Sequence, residues 1–299
     1  MKLCQWNIEN LFLLMDKYQG EDLSTISNEK WQSFSIGYRT SNKHIQKIED
    51  AAKVIEDINA DIYMLCEVGG KESLNNFNKY FLNNKYTCIL EEGTAKRGLD
   101  VGFLIKKDFN QEIEVINNKR LKLKDGTRFS RSLGEIRIKK GGKVELVFLL
   151  AHLKSKRTSE EDFQGWAKRS EEVKGLNQYV EKLNKDLKNP KIVLAGDLNS
   201  DLDDLRIMGL SSFDNFLDLK ELSDEEKCTH IHFDGGGAKY HQFDYIFSTE
   251  NMRGDLDLEN SSVYRFKNDY GDTWGFPESI KEKWELPSDH YPVVLKINY

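Results

Sequence analysis

The stretch KIVLAGDLNS, Lys191 to Ser200, decides the fold, because it predicts a buried strand that ends in polar side chains. Its run of β-branched and aliphatic residues is typical of a strand covered on both faces, as in α/β proteins. Asp197 and Asn199 then share one face of the extended chain. Alone, the pair also fits an Asx-type turn, so its meaning depends on the other strand ends.

The arrangement of helix, apolar strand and terminal acid occurs once in each half of the chain. Apolar residues recur at helical spacing over 42–60, and the strand DIYMLCE (61–67) then ends in Glu67 before two glycines. Helical spacing over 160–188, with Phe163 and Trp166 on the apolar stripe, precedes the Lys191 strand. Strands are also predicted at 2–9, 143–154, 241–248 and 291–297, and Gly141 and Gly142 predict a hairpin turn.

The length of 299 residues fits one domain, and we predict a single domain (1–299) with loop excursions near 13–41, 201–240 and 249–287. No apolar run approaches the 20 or so residues of a spanning helix, and the chain begins with a strand pattern rather than a signal peptide. We therefore expect a cytoplasmic protein without stable membrane association. The net charge of -6 argues against a non-specific nucleic-acid coat but leaves a nuclease open. Nothing indicates the oligomeric state.

Polar residues of complementary kinds stand at the predicted strand ends and the adjoining turns. They are Asn7, Glu9, Glu67, His152, Asp197, Asn199, Asp244, Asp289 and His290. Hard oxygen ligands without paired thiols suit Mg²⁺, Mn²⁺ or Ca²⁺ better than zinc. With two histidines beside them, the set predicts metal-assisted hydrolysis of a phosphate ester.

Several of these residues also allow a structural interpretation. Asn7 can cap a turn, and His152, after an apolar run, can be a core histidine with satisfied hydrogen bonds. Asp244 interrupts an apolar strand and needs a hydrogen-bond partner, for which a histidine is suitable. The consecutive Ser288, Asp289 and His290 cannot form a Ser-His-Asp relay, since neighbours on an extended segment point to opposite sides. His230 and His232 are interpreted as a solvated loop pair rather than a metal site.

Seven motifs in order resemble the endonuclease/exonuclease/phosphatase superfamily, which has the pancreatic-deoxyribonuclease-like fold. They are WNIEN (6–10), DIYMLCE (61–67), RGLDVGFL (97–104), AHLKSKR (151–157), GDLNS (196–200), FDYIF (243–247) and PSDHYP (287–292). The resemblance implies an α/β (α+β) four-layered sandwich, in which two packed mixed β-sheets are flanked by helices. It also implies a site at the edge where strands from both sheets end.

The resemblance further implies a divalent cation, Mg²⁺ with Mn²⁺ as a substitute. Glu67 would be its principal ligand, with Asn7 and Asp289 near the metal or its waters. Glu9 stands where many relatives have an acid. Two roles are therefore open for it, as a ligand of a second metal or as a support of the metal ligands.

The remaining carried-over roles concern the reaction itself. Asp197 would orient or deprotonate the attacking water, and Asn199 would hold a phosphate oxygen. His152 and His290, the latter oriented by Asp244, would stabilise the pentacovalent transition state.

The sequence and the resemblance together predict a metal-dependent phosphodiesterase, with a nuclease acting on DNA or RNA as the leading hypothesis. Arg97 and Lys154, together with Lys156 and Arg157, flank the predicted phosphate site and would bind the substrate. One alternative is hydrolysis of a phospholipid headgroup, as in sphingomyelinases, or of a small phosphate ester. The loop with Trp274 and Phe276 would then dock on lipid, although packing is the favoured explanation of these rings. A non-catalytic binding protein on the same fold is the third alternative.

Overall fold

A computed structural model describes residues 1–93, 95, 97–211, 213–216, 218–220, 222–235, 237–268 and 270–299. Within these residues the chain forms fourteen strands and seven α-helices. The strands are β1 (Lys2–Leu11), β2 (Ile62–Val68), β3 (Tyr86–Ile89), β4 (Asp100–Lys106), β5 (Glu112–Ile116), β6 (Gly134–Lys140), β7 (Lys143–His152), β8 (Lys191–Asp197), β9 (Asp214–Asn215), β10 (His230–Asp234), β11 (Gly237–His241), β12 (Asp244–Ser248), β13 (Leu256–Val263) and β14 (Val293–Ile297). The α-helices are α1 (Asn28–Ser33), α2 (Ile45–Ile58), α3 (Gly70–Phe81), α4 (Trp166–Asp186), α5 (Leu202–Ile207), α6 (Asp224–Lys227) and α7 (Ile280–Glu285).

The described strands form two six-stranded sheets and a separate hairpin of β10 and β11. The first sheet has the order β13-β14-β1-β2-β4-β3, and the second has the order β5-β6-β7-β8-β12-β9. Both are mixed, because β1 is parallel to β2 and β7 is parallel to β8. Parallel neighbours need a long crossover, which contains α2 in the first sheet and α4 in the second. The predicted pair of mixed sheets flanked by helices is confirmed.

The two sheets pack face to face, with β1 in contact with β8 and β12. One hydrophobic cluster contains buried side chains of both sheets, such as Leu65, Phe148 and Val193. A second cluster joins the apolar stripe of α4 to the outer face of the second sheet, for example Leu176 to Leu194. Burial of apolar surface between these layers is the main stabilising contribution.

The backbone requires glycine at three positions, two in a turn and one between paired strands. Gly141 and Gly142 both have positive φ, 58° and 77°, which the predicted tight turn between β6 and β7 needs. Gly196 has φ 147°, and a Cβ atom there would lie 1.7 Å from the carbonyl oxygen of Ala151. The close approach of β7 and β8 at this point therefore excludes any side chain.

All three predicted loop excursions contain regular structure. Helix α1 lies in 13–41, where a long loop or a short helix was predicted, and the other two segments correct the sequence interpretation. The segment 249–287 includes the edge strand β13, and the segment 201–240 includes most of the β10–β11 hairpin. β13 pairs only with β14 and shifts register between Asp257 and Ser262. An irregular edge strand carries many polar residues, so its alternation is weak.

Two element boundaries also differ from the prediction. The predicted strand 241–248 is divided between β11 and β12, because the chain leaves the hairpin at His241. The predicted helix 160–188 starts only at Trp166, since Gln164 and Gly165 adopt left-handed conformations with φ 53° and 62°. Phe163, predicted on the apolar stripe, is consequently 73% exposed.

Among the described residues, no helix combines the length and apolarity that a bilayer crossing requires. The aromatic loop suggested as a lipid contact is partly packed. Phe276 lies against the rings of Tyr240 and Tyr291, at centroid distances of 5.1 and 5.6 Å, and the Arg265 guanidinium lies 4.7 Å from its ring centre. These contacts account for Phe276 without a membrane.

Candidate active site

The ends of three neighbouring strands of the second sheet bring together three of the predicted residues. His152, the last residue of β7, pairs in register with Asp197, the last residue of β8. Asp197 pairs in turn with Asp244, the first residue of β12. The side chains of His152, Asp197 and Asp244 are all almost completely buried.

Two hydrogen bonds cross from β1 of the first sheet to these strand ends. The Asn7 amide Nδ2 donates to Asp197 Oδ2 at 2.9 Å, and the Gln5 amide Nε2 donates to Asp244 Oδ1 at 2.9 Å. Gln5 and Asn7 share one face of β1, as their alternation predicts. Gln5 was not among the predicted site residues, although its place on the face of Asn7 was the available signal. Buried donors thus fix both carboxylates.

Asp244 and His290 form the predicted pair. The Asp244 Oδ2 to His290 Nδ1 distance is 2.6 Å, and both side chains are buried. Burial alone would lower the pKa of His290, but the Asp244 and Asp289 carboxylates outweigh it and raise the pKa well above its ordinary value. His290 therefore carries a positive charge at neutral pH.

Asp197 combines burial with several donors. Burial, helped by the Asp244 charge, raises the pKa of Asp197 to about 7, against the opposing effect of His290 and the hydrogen bonds from Asn7 and Asn199. The Asn199 backbone N–H donates to Asp197 Oδ1 at 2.9 Å, and the Asn199 amide Nδ2 donates to the Leu153 carbonyl at 3.2 Å. A carboxyl group whose pKa lies close to neutral pH is suited to proton transfer.

His152 lies beside Asp197, with 3.5 Å between Nε2 and Asp197 Oδ2. Burial, together with the charges of Arg131, His290 and Arg97, lowers the pKa of His152 well below its ordinary value. The ring is therefore neutral at pH 7. Its Nδ1 atom is buried without a hydrogen-bond partner in the described protein, and such an atom favours a polar ligand group.

Glu67, the last but one residue of β2, has a left-handed conformation with φ 63°, which is costly for a residue with a side chain. Its Oε2 accepts a hydrogen bond from the Asn10 backbone N–H at 3.1 Å. Asn10 in turn accepts from Arg97 Nη2 at 2.8 Å, so the predicted substrate-binding Arg97 lies beside the Glu67 segment. The carboxylate of Glu67 is only half-buried and faces the cleft.

Asp289 lies among cationic and imidazole groups. Its Oδ2 is 3.5 Å from Lys283 Nζ and 3.7 Å from His230 Nε2, and its Oδ1 is 3.9 Å from His290 Nε2. Burial would raise the pKa of Asp289, but His290, His230 and Lys283 lower it overall. Asp289 is therefore ionised throughout the physiological pH range.

The interpretation of His230 as part of a solvated loop pair is wrong. His230 starts β10, forms a β-bridge with His290, and stacks on Phe243 with ring centroids 5.3 Å apart. Burial lowers the pKa of His230 to about 4, against the opposing effect of Asp289. Pairing of β10 with β11 creates this environment, which periodicity does not report. His232 is exposed and also faces the cleft.

Glu9 is held by two lysines. Its Oε2 lies 3.1 Å from Lys43 Nζ and 2.8 Å from Lys47 Nζ. Lys43 is buried and also donates to the carbonyls of Ile8 and Glu9, at 3.0 and 2.7 Å. The Glu9 carboxylate is thus committed to ion pairs at the rim of the cleft.

These residues surround a cleft of about 740 Å³, which we call the catalytic cleft. It is lined by eight of the predicted residues, namely Glu9, Glu67, Arg97, His152, Asp197, Asn199, Asp289 and His290. Asn7 and Asp244 support them through hydrogen bonds. Lys154 is not among the lining residues, because its ammonium donates to the carbonyls of Ser155 and Arg157 at 3.1 and 3.3 Å. Arg131, Lys156 and Lys283 add positive charge to the lining; of these, only Lys156 was predicted to flank the phosphate site.

The donor chemistry fits a hard divalent cation. Glu67 and Asp289 present carboxylate oxygens to the same cleft, and the Asn7 amide lies behind them. Two tight groups of potential ligand atoms also occur among the described residues, His230–Asp289–His290 and Asp197–Asp244–His290. The second is already joined by its own contacts, and the nitrogen-rich first suits zinc better. Mg²⁺ keeps several waters and needs only one or two carboxylates, so Glu67 is the better-suited ligand.

The fold resembles several solved structures over nearly the whole chain. Zebrafish (D. rerio) TDP2, complexed with single strand DNA product, has a TM-score of 0.60 at 15% identity, covering 100% of this chain and 99% of that chain. The human Nocturnin catalytic domain with bound sulfate anion has a TM-score of 0.59 at 16% identity, with coverages of 99% and 93%. A Bacteroides thetaiotaomicron mannosyl-6-phosphatase has a TM-score of 0.53 at 15% identity, covering both chains fully.

No curated protein matches the sequence. The model of the Endonuclease/Exonuclease/phosphatase family, however, matches residues 2–298. This span includes all seven motifs and every residue of the site described above. The chain therefore belongs to the endonuclease/exonuclease/phosphatase family.

Proposed function

We propose that the protein is a divalent-metal-dependent phosphodiester hydrolase, a nuclease that cleaves DNA or RNA by in-line attack of an activated water. The family supports hydrolysis of a phosphoester bond. The nuclease proposal depends on two buried series of side-chain hydrogen bonds, which meet in a cleft rimmed by cations. They are Asn7–Asp197 and Gln5–Asp244–His290. The acid Asp197, the cation His290 and the neutral imidazole of His152 are thus held in one place.

Asp197 is the proposed acceptor of the water proton. Its pKa near 7 lets the carboxylate accept a proton at neutral pH and release it again. Asn7 and the backbone of Asn199 fix the orientation of the carboxylate, so the water is held in one direction. Such positioning lowers the activation free energy by several kcal/mol; for fully oriented reactants the reduction reaches about 7–11 kcal/mol.

The two histidines have different proposed roles because their charges differ. His290 is an imidazolium beside Asp244 and stabilises the negative charge that develops on the phosphoryl oxygens. His152 is neutral and lines the catalytic cleft beside Asp197, where its imidazole would form a hydrogen bond with a phosphoryl group. Asn199 at the cleft surface would hold a further oxygen.

Glu67 is the proposed principal ligand of Mg²⁺ or Mn²⁺, with Asp289 and Asn7 nearby and Glu9 acting through its ion pairs. When bound, such a cation neutralises charge on the phosphoryl oxygens and the leaving group. The half-buried carboxylate of Glu67, held by the Asn10 N–H, is preorganised for this purpose.

A nucleic acid is the proposed substrate because the rim of the catalytic cleft is rich in cations. Arg97, Arg131, Lys156 and Arg157 line it and can contact phosphates on either side of the scissile bond. The zebrafish TDP2 structure with single strand DNA product agrees with this choice. A small phosphate ester is the second candidate, supported by the fold likeness to the mannosyl-6-phosphatase.

The test is hydrolysis of plasmid DNA, single-stranded DNA, RNA, bis-p-nitrophenyl phosphate, sphingomyelin and inositol phosphates with Mg²⁺. Asp197→Ala and His290→Ala should each lower kcat on the preferred substrate by about 10³-fold or more, while the exposed Asp203→Ala serves as the matched control. Wild-type rates in the two site variants would refute the mechanism. A preference for lipid or inositol phosphates would refute the nuclease assignment alone.

A further inference from the structure

A second cavity, of about 560 Å³, adjoins the catalytic cleft and is notable for its charge. We call it the basic pocket. Its lining includes six cationic side chains, Arg97, Arg128, Arg131, Lys154, Arg157 and Lys168. None of the described residues that line it is acidic. In a chain with a net charge of -6, this concentration of positive charge is not explained by composition.

The cationic groups repel one another unless an anion is bound. Burial, together with Arg131 and Arg169, lowers the pKa of Lys154, and Asp162 and Glu172 oppose this only partly. Like charges gathered around a concave surface raise the local concentration of anions. The basic pocket is therefore suited to a multiply charged anionic ligand.

The walls of the basic pocket are held in place by buried side chains of α4. Glu172 accepts hydrogen bonds from the backbone N–H groups of Ser130 and Lys154, at 2.6 and 2.7 Å. The fully buried Arg169 donates to the Lys154 carbonyl at 2.8 Å. One carboxylate thus joins the two segments that carry Arg128, Arg131 and Arg157. The arrangement exists before any ligand binds, which reduces the ordering cost of binding.

The exposed end of the basic pocket is organised as well. Lys168 Nζ donates to Thr127 Oγ1 at 2.7 Å and to the Arg128 carbonyl at 2.6 Å. These bonds tie the segment that carries Arg128 to α4. Arg128 itself is exposed and presents a planar guanidinium, which matches the geometry of phosphate oxygens.

The basic pocket and the catalytic cleft are continuous. Arg97, Arg131, Ser155 and Arg157 line both cavities. A strand whose scissile phosphate lies at Asp197 and His290 would therefore extend its backbone past these shared residues. We propose that the basic pocket binds a flanking phosphate of a single-stranded nucleic acid while the neighbouring diester occupies the catalytic cleft.

This inference rests on the proposed nuclease function for its substrate, and it concerns a phosphate that is not cleaved. Contacts of cationic side chains with backbone phosphates carry no sequence information. DNA and RNA strands should consequently depend on the basic pocket to the same degree.

The experiment uses the double variant Arg128→Gln/Lys168→Gln, whose residues line the basic pocket but not the catalytic cleft. Lys122→Gln/Lys124→Gln removes the same charge from the exposed neighbouring segment and serves as the control. Binding of a fluorescent single-stranded oligonucleotide is measured by anisotropy in EDTA over a series of salt concentrations. KM and kcat are measured with Mg²⁺ on the oligonucleotide and on bis-p-nitrophenyl phosphate, which has one phosphate.

We expect the basic-pocket variant to reduce the magnitude of the slope of log affinity against log salt by about 0.7, the value for one lost phosphate contact on a single strand. KM for the oligonucleotide should rise about tenfold, which corresponds to about 1.4 kcal/mol. Rates on bis-p-nitrophenyl phosphate should stay at the wild-type value, and the control variant should change neither measurement.

Unchanged affinity and KM in the variant would overturn the inference while leaving the nuclease function intact. Equal losses on the oligonucleotide and on bis-p-nitrophenyl phosphate would also overturn it, since the residues would then act on the cleaved phosphate or on the fold. If the wild type cleaves no nucleic acid, the proposed function fails. The salt slopes in EDTA then still decide whether the basic pocket binds a phosphate backbone.

Discussion

His290 owes its charge first to the Asp244 carboxylate, with Asp289 adding to the effect, and the Gln5 amide orients Asp244. The chain from Gln5 Nε2 through Asp244 to His290 Nδ1 is completely buried, with contacts of 2.9 and 2.6 Å. We predict that Asp244→Asn lowers kcat on the preferred phosphodiester by about 10²- to 10⁴-fold. Removal of this carboxylate takes away the largest effect that opposes burial, so the pKa of His290 falls and less of the imidazole is protonated at neutral pH.

The pH profile separates this positioning role from damage to the fold. A histidine with a lowered pKa is charged only in more acidic solution, so the ratio of variant to wild-type kcat should rise as the pH falls. Asp203→Asn, an exposed residue, provides the matched control. A ratio that is constant from pH 8 to pH 5 would contradict the assignment of His290 as the cation.

Glu67 offers a second prediction that does not depend on turnover. Glu67→Gln keeps the size and backbone of the residue but removes the charge that attracts a hard cation. We expect Mg²⁺ to raise the melting temperature of the wild type and not that of the variant. At 100 times the dissociation constant the wild-type gain is about 2.7 kcal/mol. Glu112→Gln, on an exposed edge-strand position, is the control; an equal gain in Glu67→Gln would place the metal elsewhere.

The individual site residues differ in how far the sequence could predict them. Eight of the eleven predicted residues line the catalytic cleft, because the ends of strands are where extended chains deliver polar groups. His230 and Lys283 were missed as site residues, since a hairpin and a short helix bring them to Asp289 from separate segments. Lys154 belongs to the right segment, but its ammonium turns to its own loop carbonyls. Side-chain direction at a loop is set by tertiary contacts that spacing does not report.

At the scale of elements, the parallel pair β7–β8 determines the position of Asp197. Gly196→Ala would place a Cβ atom 1.7 Å from the Ala151 carbonyl oxygen and would strain a backbone with φ 147°. We predict a loss of at least about 3 kcal/mol in the free energy of unfolding, measured by urea denaturation. Gly275→Ala, where a Cβ meets no atom within 4 Å, should change it little. Equal stability of the two variants would show that β7 and β8 separate without cost.

The elements that the sequence predicted best are those with a strong period. The helix and strand that precede Glu67, and the strand that precedes Asp197, match α2, β2 and β8 within a few residues. β13 was missed because it is an edge strand with a shifted register and polar side chains. The start of α4 was misplaced because left-handed residues at 164 and 165 interrupt an otherwise helical pattern. Backbone conformation at such points depends on packing, not on periodicity.

At the scale of the molecule, three cavities lie along one face, and Arg97 lines all of them. The basic pocket lies on one side of the catalytic cleft. A groove of about 720 Å³, lined by Tyr38, Arg39 and Lys47 among others, adjoins the cleft through Glu9, Asn10 and Arg97. The excursion 13–41, which was predicted as a long loop or a short-helix excursion, supplies part of this groove. The catalytic cleft therefore adjoins two further cavities whose linings contain cations.

This geometry predicts that activity depends on substrate length. Only a polymer can occupy the adjoining cavities together with the catalytic cleft, and binding at remote positions raises kcat/KM by supplying energy for the transition state. With single-stranded oligonucleotides, kcat/KM should rise about tenfold or more from a dinucleotide to about eight nucleotides and then level off, as expected for a site of about 4–16 nucleotides. Asp203→Ala should keep the same profile, whereas Arg128→Gln/Lys168→Gln should flatten it. A wild-type kcat/KM that is equal for the dinucleotide and the octamer would exclude a strand-binding enzyme and favour a hydrolase of small phosphate esters.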